Sequence, residues 1–179
     1  MILTLIASNS SDTTDLSEIV FTSGIDGTYD EYMFVYTDIG PATDNVNFTV
    51  QFNADGAADY DEELMSIASY TQMGEDVSLT NFALTSSTAY ILGTGKQMLA
   101  QDLGNGATES ASGILHLYRP SNTTYVKTFM AQTAYYDQAT RAHSRIVGGY
   151  INITEAVTDI QFAMSSGNLD GLVQMYGVA

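Results

Sequence analysis

Cysteine is missing from this 179-residue chain, and so is tryptophan. Without Cys there are no disulfides and no thiolate metal sites, and the absence fits synthesis in a reducing cytosol. Positive charge is scarce. Five Lys and Arg face 21 Asp and Glu, a net charge of −16 at pH 7. Such a chain repels phosphate backbones and anionic headgroups, which argues against nucleic-acid and membrane partners. No apolar run approaches the length of a membrane span. The opening Met1-Ile-Leu-Thr-Leu-Ile-Ala lacks a basic n-region and is too short for a signal-peptide core. It reads equally as a first strand or as an arm, within 1–15, that docks on something else. Proline is nearly absent as well. Pro41 and Pro120 both fall where a strand pattern breaks.

What is present is apolar and aromatic. Hydrophobic residues make up 45% of the chain and charged ones 15%, with 12 Tyr and 7 Phe, so this is not an acidic disordered chain. The length suits a single domain over 1–179, with a core large enough to need no staples. The most informative segment is Gly113 to Met130. Ile114 to Tyr118 is apolar, Pro120-Ser121-Asn122 breaks it, and Tyr125, Lys127 and Phe129 then alternate with Val126, Thr128 and Met130. That pattern predicts a hairpin.

The same style recurs along the chain. Ser17 to Thr22 predicts a short strand, and Tyr29 to Asp38 a strong one. In the latter, Tyr32, Phe34 and Tyr36 oppose Met33 and Val35, and two apolar faces suggest a strand between layers. Val46 to Phe52 alternates as if one face were wet. Asn53 to Asp61 predicts a polar loop. Asp61 to Gln72 fits a helix or a strand, with the β surroundings favouring strand. Val77 to Leu92 predicts one or two strands, Gly93 to Gly106 a loop, and Tyr136 to Ser144 a polar connection. Arg145 to Ile151, Asp159 to Met164 and Gly171 to Tyr176 complete about eight to ten strands. The expected fold is all-β, a two-sheet antiparallel sandwich.

Motifs for chemistry are weak. Of the two His, His116 lies mid-strand between leucines, and His143 lies between Arg141 and Arg145 in the expected connection. Gly93-Thr-Gly-Lys96 lacks the first glycine and the hydroxyl residue of a phosphate loop. Asn53, Asp55, Asp59, Asp61 and Glu62 could offer oxygen ligands to calcium, but their spacing is not an EF-hand's, and a solvated acidic loop accounts for them. No catalytic, cofactor or metal residue is therefore assigned. Four of the five cations, Arg119, Lys127, Arg141 and Arg145, fall within one stretch. They mark either local ion pairs or one contact face. With Met1, Ile2, Leu3 and Leu5 of the N-terminal segment they are the candidate interface residues. Tyr135-Tyr136 is a candidate recognition pair.

Phe21-Thr-Ser-Gly-Ile-Asp-Gly-Thr-Tyr-Asp-Glu-Tyr, Pro41-Ala-Thr-Asp-Asn-Val-Asn-Phe-Thr-Val-Gln-Phe, the Gly113 to Met130 hairpin, Gly148-Gly-Tyr-Ile-Asn and the closing Ser165-Ser-Gly-Asn-Leu-Asp-Gly-Leu-Val-Gln-Met-Tyr-Gly-Val carry a resemblance. Through them the chain resembles small surface proteins of tailed bacteriophages from marine and freshwater bacteria, cyanophages included. The resemblance implies a jelly-roll-like sandwich and a capsid decoration (cement) protein on the outer head, made in the bacterial cytoplasm. It also implies a major capsid protein as partner, a homo-oligomer such as a trimer, and no enzymatic role. The alternative it leaves is a tail-fibre or receptor-binding module that recognises a bacterial surface glycan.

Overall fold

The structure is a computed structural model describing residues 2–54, 59–77, 80–85 and 91–179. Its described elements are β1 (Leu3–Leu16), β2 (Ile19–Phe21), β3 (Glu31–Pro41), β4 (Val46–Asn53), β5 (Leu64–Gly74), β6 (Thr80–Thr85), β7 (Ile91–Gly93), β8 (Gln97–Leu103), β9 (Ala111–Tyr118), β10 (Lys127–Asp137), β11 (Arg141–Ile151), β12 (Asp159–Met164) and β13 (Leu169–Val178). Every pairing between them is antiparallel. The main path runs β1-β13-β3-β9-β10-β8-β4-β12-β2. Its two ends approach each other, because the Asn9 side-chain amide donates to the Val20 carbonyl at 2.8 Å. The sheet is thus nearly closed into a barrel-like shape. A branch leaves the path at β10, where β11 pairs with it along its full length, and β5, β6 and β7 follow.

The interior is aromatic. Phe34, Tyr36, Phe48 and Phe162 meet with ring centroids 5.4–6.3 Å apart, and Phe21 and the Phe52–Phe129 pair extend the cluster. Alternation delivers these rings to one side of each strand, which is why short apolar-aromatic runs became strands rather than helices. The predicted hairpin forms as β9 and β10, with Phe129 opposite Leu117. Of residues 61–72, those from Leu64 on form strand β5, as favoured, while 61–63 precede it without regular structure. The N-terminal segment is a strand and not a detached arm, since Leu3 to Ser11 pair with β13.

Three expectations need correction. Residues 93–106 are not all loop, because Gln97–Leu103 pairs with β4 through Gln97, Met98, Ala100 and Leu103, and Leu99, Ala100 and Leu103 are buried. The wet face of 46–52 does not exist. Thr49 and Gln51 are buried, with Thr49 donating to the Ala163 carbonyl and Gln51 to the Thr94 carbonyl, both at 2.8 Å. Paired polar atoms can be buried at little cost, so polarity misled the assignment. Finally, the 136–144 connection shrinks to a turn at residues 138–140, because β10 and β11 run on to Asp137 and from Arg141.

One local device bends the sheet. β3 carries an extra residue relative to both neighbours between Tyr36 and Gly40, where both ladders shift register. Asp38 takes a positive φ of 52° there, and Gly171 opposite it has φ 114°. A bulge of this kind increases twist and curvature, which suits a sheet that nearly closes.

Candidate interaction surfaces

The structure separates the candidate contact residues into two groups. Ile2, Leu3 and Leu5 lie on or beside β1 at the start of the main path, and all three are exposed; Ile2 is 70% exposed. Backbone bonds between Ile2 and Ala179 hold this segment in place, and Leu5 sits opposite Tyr176 of β13. The result is an apolar corner on a rigid strand. Met1 lies outside the described residues.

The cations do not form a face. Lys127 and Arg145 are 1% and 0% exposed, so neither can contact a partner from this position. Their register explains it. Lys127, Phe129, Ala131, Thr133, Tyr135 and Asp137 share the inner side of β10, as Arg141, His143, Arg145 and Val147 share that of β11. Lys127 donates to the carbonyls of Tyr125 and Ile153 at 3.2 and 3.3 Å, and burial pushes its ammonium below the usual lysine range. Burial likewise lowers Arg145, which hydrogen-bonds the Tyr135 hydroxyl. Arg119 is exposed and pairs with Asp30 at 3.4 Å, and Arg141 approaches Asp137 at 3.8 Å. Local pairing, the plainer of the two expectations, describes both.

These inner residues build a polar cluster at one end of the sheet. His143 Nε2 meets Asp137 Oδ2 at 2.9 Å, and the His143 ring stacks on Tyr135 with centroids 4.5 Å apart. The other Asp137 oxygen accepts the backbone N–H of Ala139 and Arg141, closing the β10–β11 turn. Desolvation raises Tyr135. The cavity beside them is about 110 Å³ and is also lined by Tyr70, Gln72, Gln101 and Asp102. A base held by a carboxylate needs a nucleophile within reach. The hydroxyl next in sequence, Ser144, lies on the opposite side of the strand, and the Asp137 bonds tie the turn to both strands. Tyr135 is therefore part of the interior, and the Tyr135-Tyr136 pair is split between the two sides. Tyr136 donates outward to Glu75 at 2.9 Å.

The remaining sites are readily placed. His116 projects from the outer side of β9, 2.5 Å from Glu31 and stacked on Tyr118. Of the oxygen-rich loop, Asp55 lies outside the described residues, the Asn53 amide donates to Asp159, and Glu62 accepts from the Ala54 N–H. Among the described residues no group of three or more His, Asp or Glu side chains is arranged to hold a metal.

The surface that sequence reasoning missed is the outer side of the β10-β11-β5-β6 branch. Register places Met130 beside Gly148, Gly148 beside Ile67, Ile146 beside Ser69, Ser69 beside Leu84, and Thr71 beside Phe82. Phe82, Leu84 and Ile67 are 69, 67 and 62% exposed. The signal was present as alternation in 127–137 and 141–151, but the partner strands were not. No known protein family matches the chain, and no curated protein does.

Proposed function

We propose that this protein is a non-catalytic structural component of a tailed-phage particle, a jelly-roll-like decoration protein that docks on the outside of the head. One observation carries the proposal beyond the resemblance. In a chain of net charge −16, an apolar corner of Ile2, Leu3 and Leu5 is presented on a strand pinned by backbone bonds to Ala179. Exposed apolar side chains on rigid backbone cost little entropy to bind, and in this position they suit a contact with the major capsid protein. The carboxylates elsewhere would keep the particle surface soluble. Bound copies bury this corner only on an assembled shell, so mass action favours that shell over ruptured forms.

The test is binding of the purified protein to purified heads stripped of it. Wild type is expected to co-sediment with heads, and Leu5→Asp to lose at least about tenfold in affinity, because binding would bury an unpaired carboxylate. Equal binding by Leu5→Asp would overturn the assignment of the corner. No binding by wild type would overturn the head location.

A further inference from the structure

The outer side of β10, β11, β5 and β6 contains no Asp, Glu, Lys, Arg or His at any of its alternating positions, from Thr128 to Tyr136, Ala142 to Tyr150, Met65 to Met73 and Thr80 to Leu84. Its large aliphatic, Met and Phe side chains are Met65, Ile67, Met73, Phe82, Leu84, Met130 and Ile146, every one exposed. Glu75 borders the face and accepts from the Tyr136 hydroxyl. From this uncharged face we propose that the protein pairs with a second copy of itself, the two β10-β11-β5-β6 faces packing across a two-fold axis.

Three arguments select a second copy over other occupants. The first is charge. A cationic partner would be drawn to the carboxylates, which this face lacks. Two copies of so acidic a chain repel each other least where both surfaces are neutral, and among the described residues this branch is a broad uncharged face on which they could meet. The second is size. Strands about 4.8 Å apart and alternate residues about 6.8 Å apart give a footprint of roughly 500–600 Å² per copy. Counted on both copies, that approaches the lower end of the roughly 1,200–2,000 Å² buried by stable interfaces. Side chains from the two faces would interdigitate at a spacing of about 10 Å, as in sheet-on-sheet packing. The third is the edge. Among the described residues β6 pairs with β5 alone, and its sequence Thr-Asn-Phe-Ala-Leu-Thr has no Lys, Pro or other charge of the kind that guards the exposed edge of a monomer. Charges on β6 are therefore absent where they would keep a second copy away from the face's outer rim.

An isologous contact requires the same patch on both copies, so it builds a dimer and not the three-fold assembly that the resemblance implies. The contact lies on the branch, whereas the Ile2–Leu5 corner lies on the opposite arm of the sheet beyond β13, so the pairing stands or falls independently of any phage head.

Sedimentation velocity on the full-length protein at micromolar concentrations tests this. Wild type is expected to run as a dimer, with Phe82→Asp and, separately, Ile146→Asp raising the dissociation constant at least about tenfold. Both side chains are exposed, so each variant should keep its far-ultraviolet spectrum and, at concentrations where the wild type is monomeric, its melting temperature. Should one variant fail to fold, the other decides. Leu5→Asp should leave the dimer intact. A monomeric or trimeric wild type would overturn the proposal, as would a dimer that tolerates both carboxylates.

Discussion

At the scale of single residues, the interior shows how polar groups are kept inside a small β protein. The Tyr36 hydroxyl is buried 2.6 Å from Thr133 Oγ1 and 3.4 Å from the Gln132 carbonyl. Burial pushes this phenol well above the ordinary value of 10. A group whose folded-state pKa is raised contributes stability that is intact below its unfolded value and is lost as pH rises beyond it. The protein should therefore lose stability above pH 10, where the unfolded chain's tyrosines ionise and Tyr36 in the folded chain does not. Tyr36→Phe is expected to cost about 1–3 kcal/mol at neutral pH, because Thr133 loses its partner, and to make the alkaline decline shallower. Denaturant titrations of both proteins at neutral and alkaline pH measure the difference. A decline of equal steepness in the two would show that other tyrosines dominate.

Residue chemistry was also where the sequence was least legible. Arg145 and Lys127 looked like surface charges because five cations in an acidic chain invite an electrostatic explanation. Their parity told otherwise. Arg145 is two residues before the buried Val147, and Lys127 two before the buried Phe129. A strict period of two puts both inside. Spacing, and not residue type, sets the side of the strand on which each lies.

At the scale of elements, the strands were visible wherever apolar and polar residues alternated. Asp159–Met164 was predicted with its observed limits, and the β9–β10 hairpin from its turn residues. β8 is hidden in the sequence because glycines flank it and its polar Gln97, Gln101 and Asp102 resemble loop composition. The second apolar face of β3 suggests a covering layer. Met33 and Val35 are instead half-buried on the outer side of the sheet, in line with His116 and Ile114 of β9. Sequence shows that a strand has two apolar faces but not what lies over them.

The bulge in β3 gives the prediction proper to this scale. Gly171 holds φ 114°, and a Cβ there would lie 2.7 Å from the Asp38 carbonyl oxygen and 2.9 Å from the Ile39 Cα. Gly171→Ala meets both backbone strain and a backbone clash, and should cost about 1–3 kcal/mol. Gly27, whose Cβ would find only the Ser121 hydroxyl at 3.6 Å, is the control, and Gly27→Ala should stay within about 0.5 kcal/mol of wild type. Urea midpoints at constant m-value separate the two. Equal midpoints would mean that the bulge is not a fixed point of the fold.

At the scale of the whole molecule, charge and apolar surface are segregated. The chain is strongly acidic, yet one branch of the sheet carries an uncharged outer face and the opposite end an apolar corner. Net charge was legible from composition, and the corner from the first seven residues. The branch face was not, because it joins side chains from four strands that lie as far apart in sequence as Ile67 and Ile146. Only the pairing of β5 with β11 brings them together. A protein with this division of surface is suited to adhesion within a larger assembly.

The most direct measurement of the proposed role is the copy number of this chain in purified tailed-phage particles from the source that supplies it, by quantitative mass spectrometry against a major-capsid standard. A head decoration protein should be present in hundreds of copies, in fixed ratio to the capsid protein. A count at the level of tail components would move it to the tail, and its absence from particles would contradict the account.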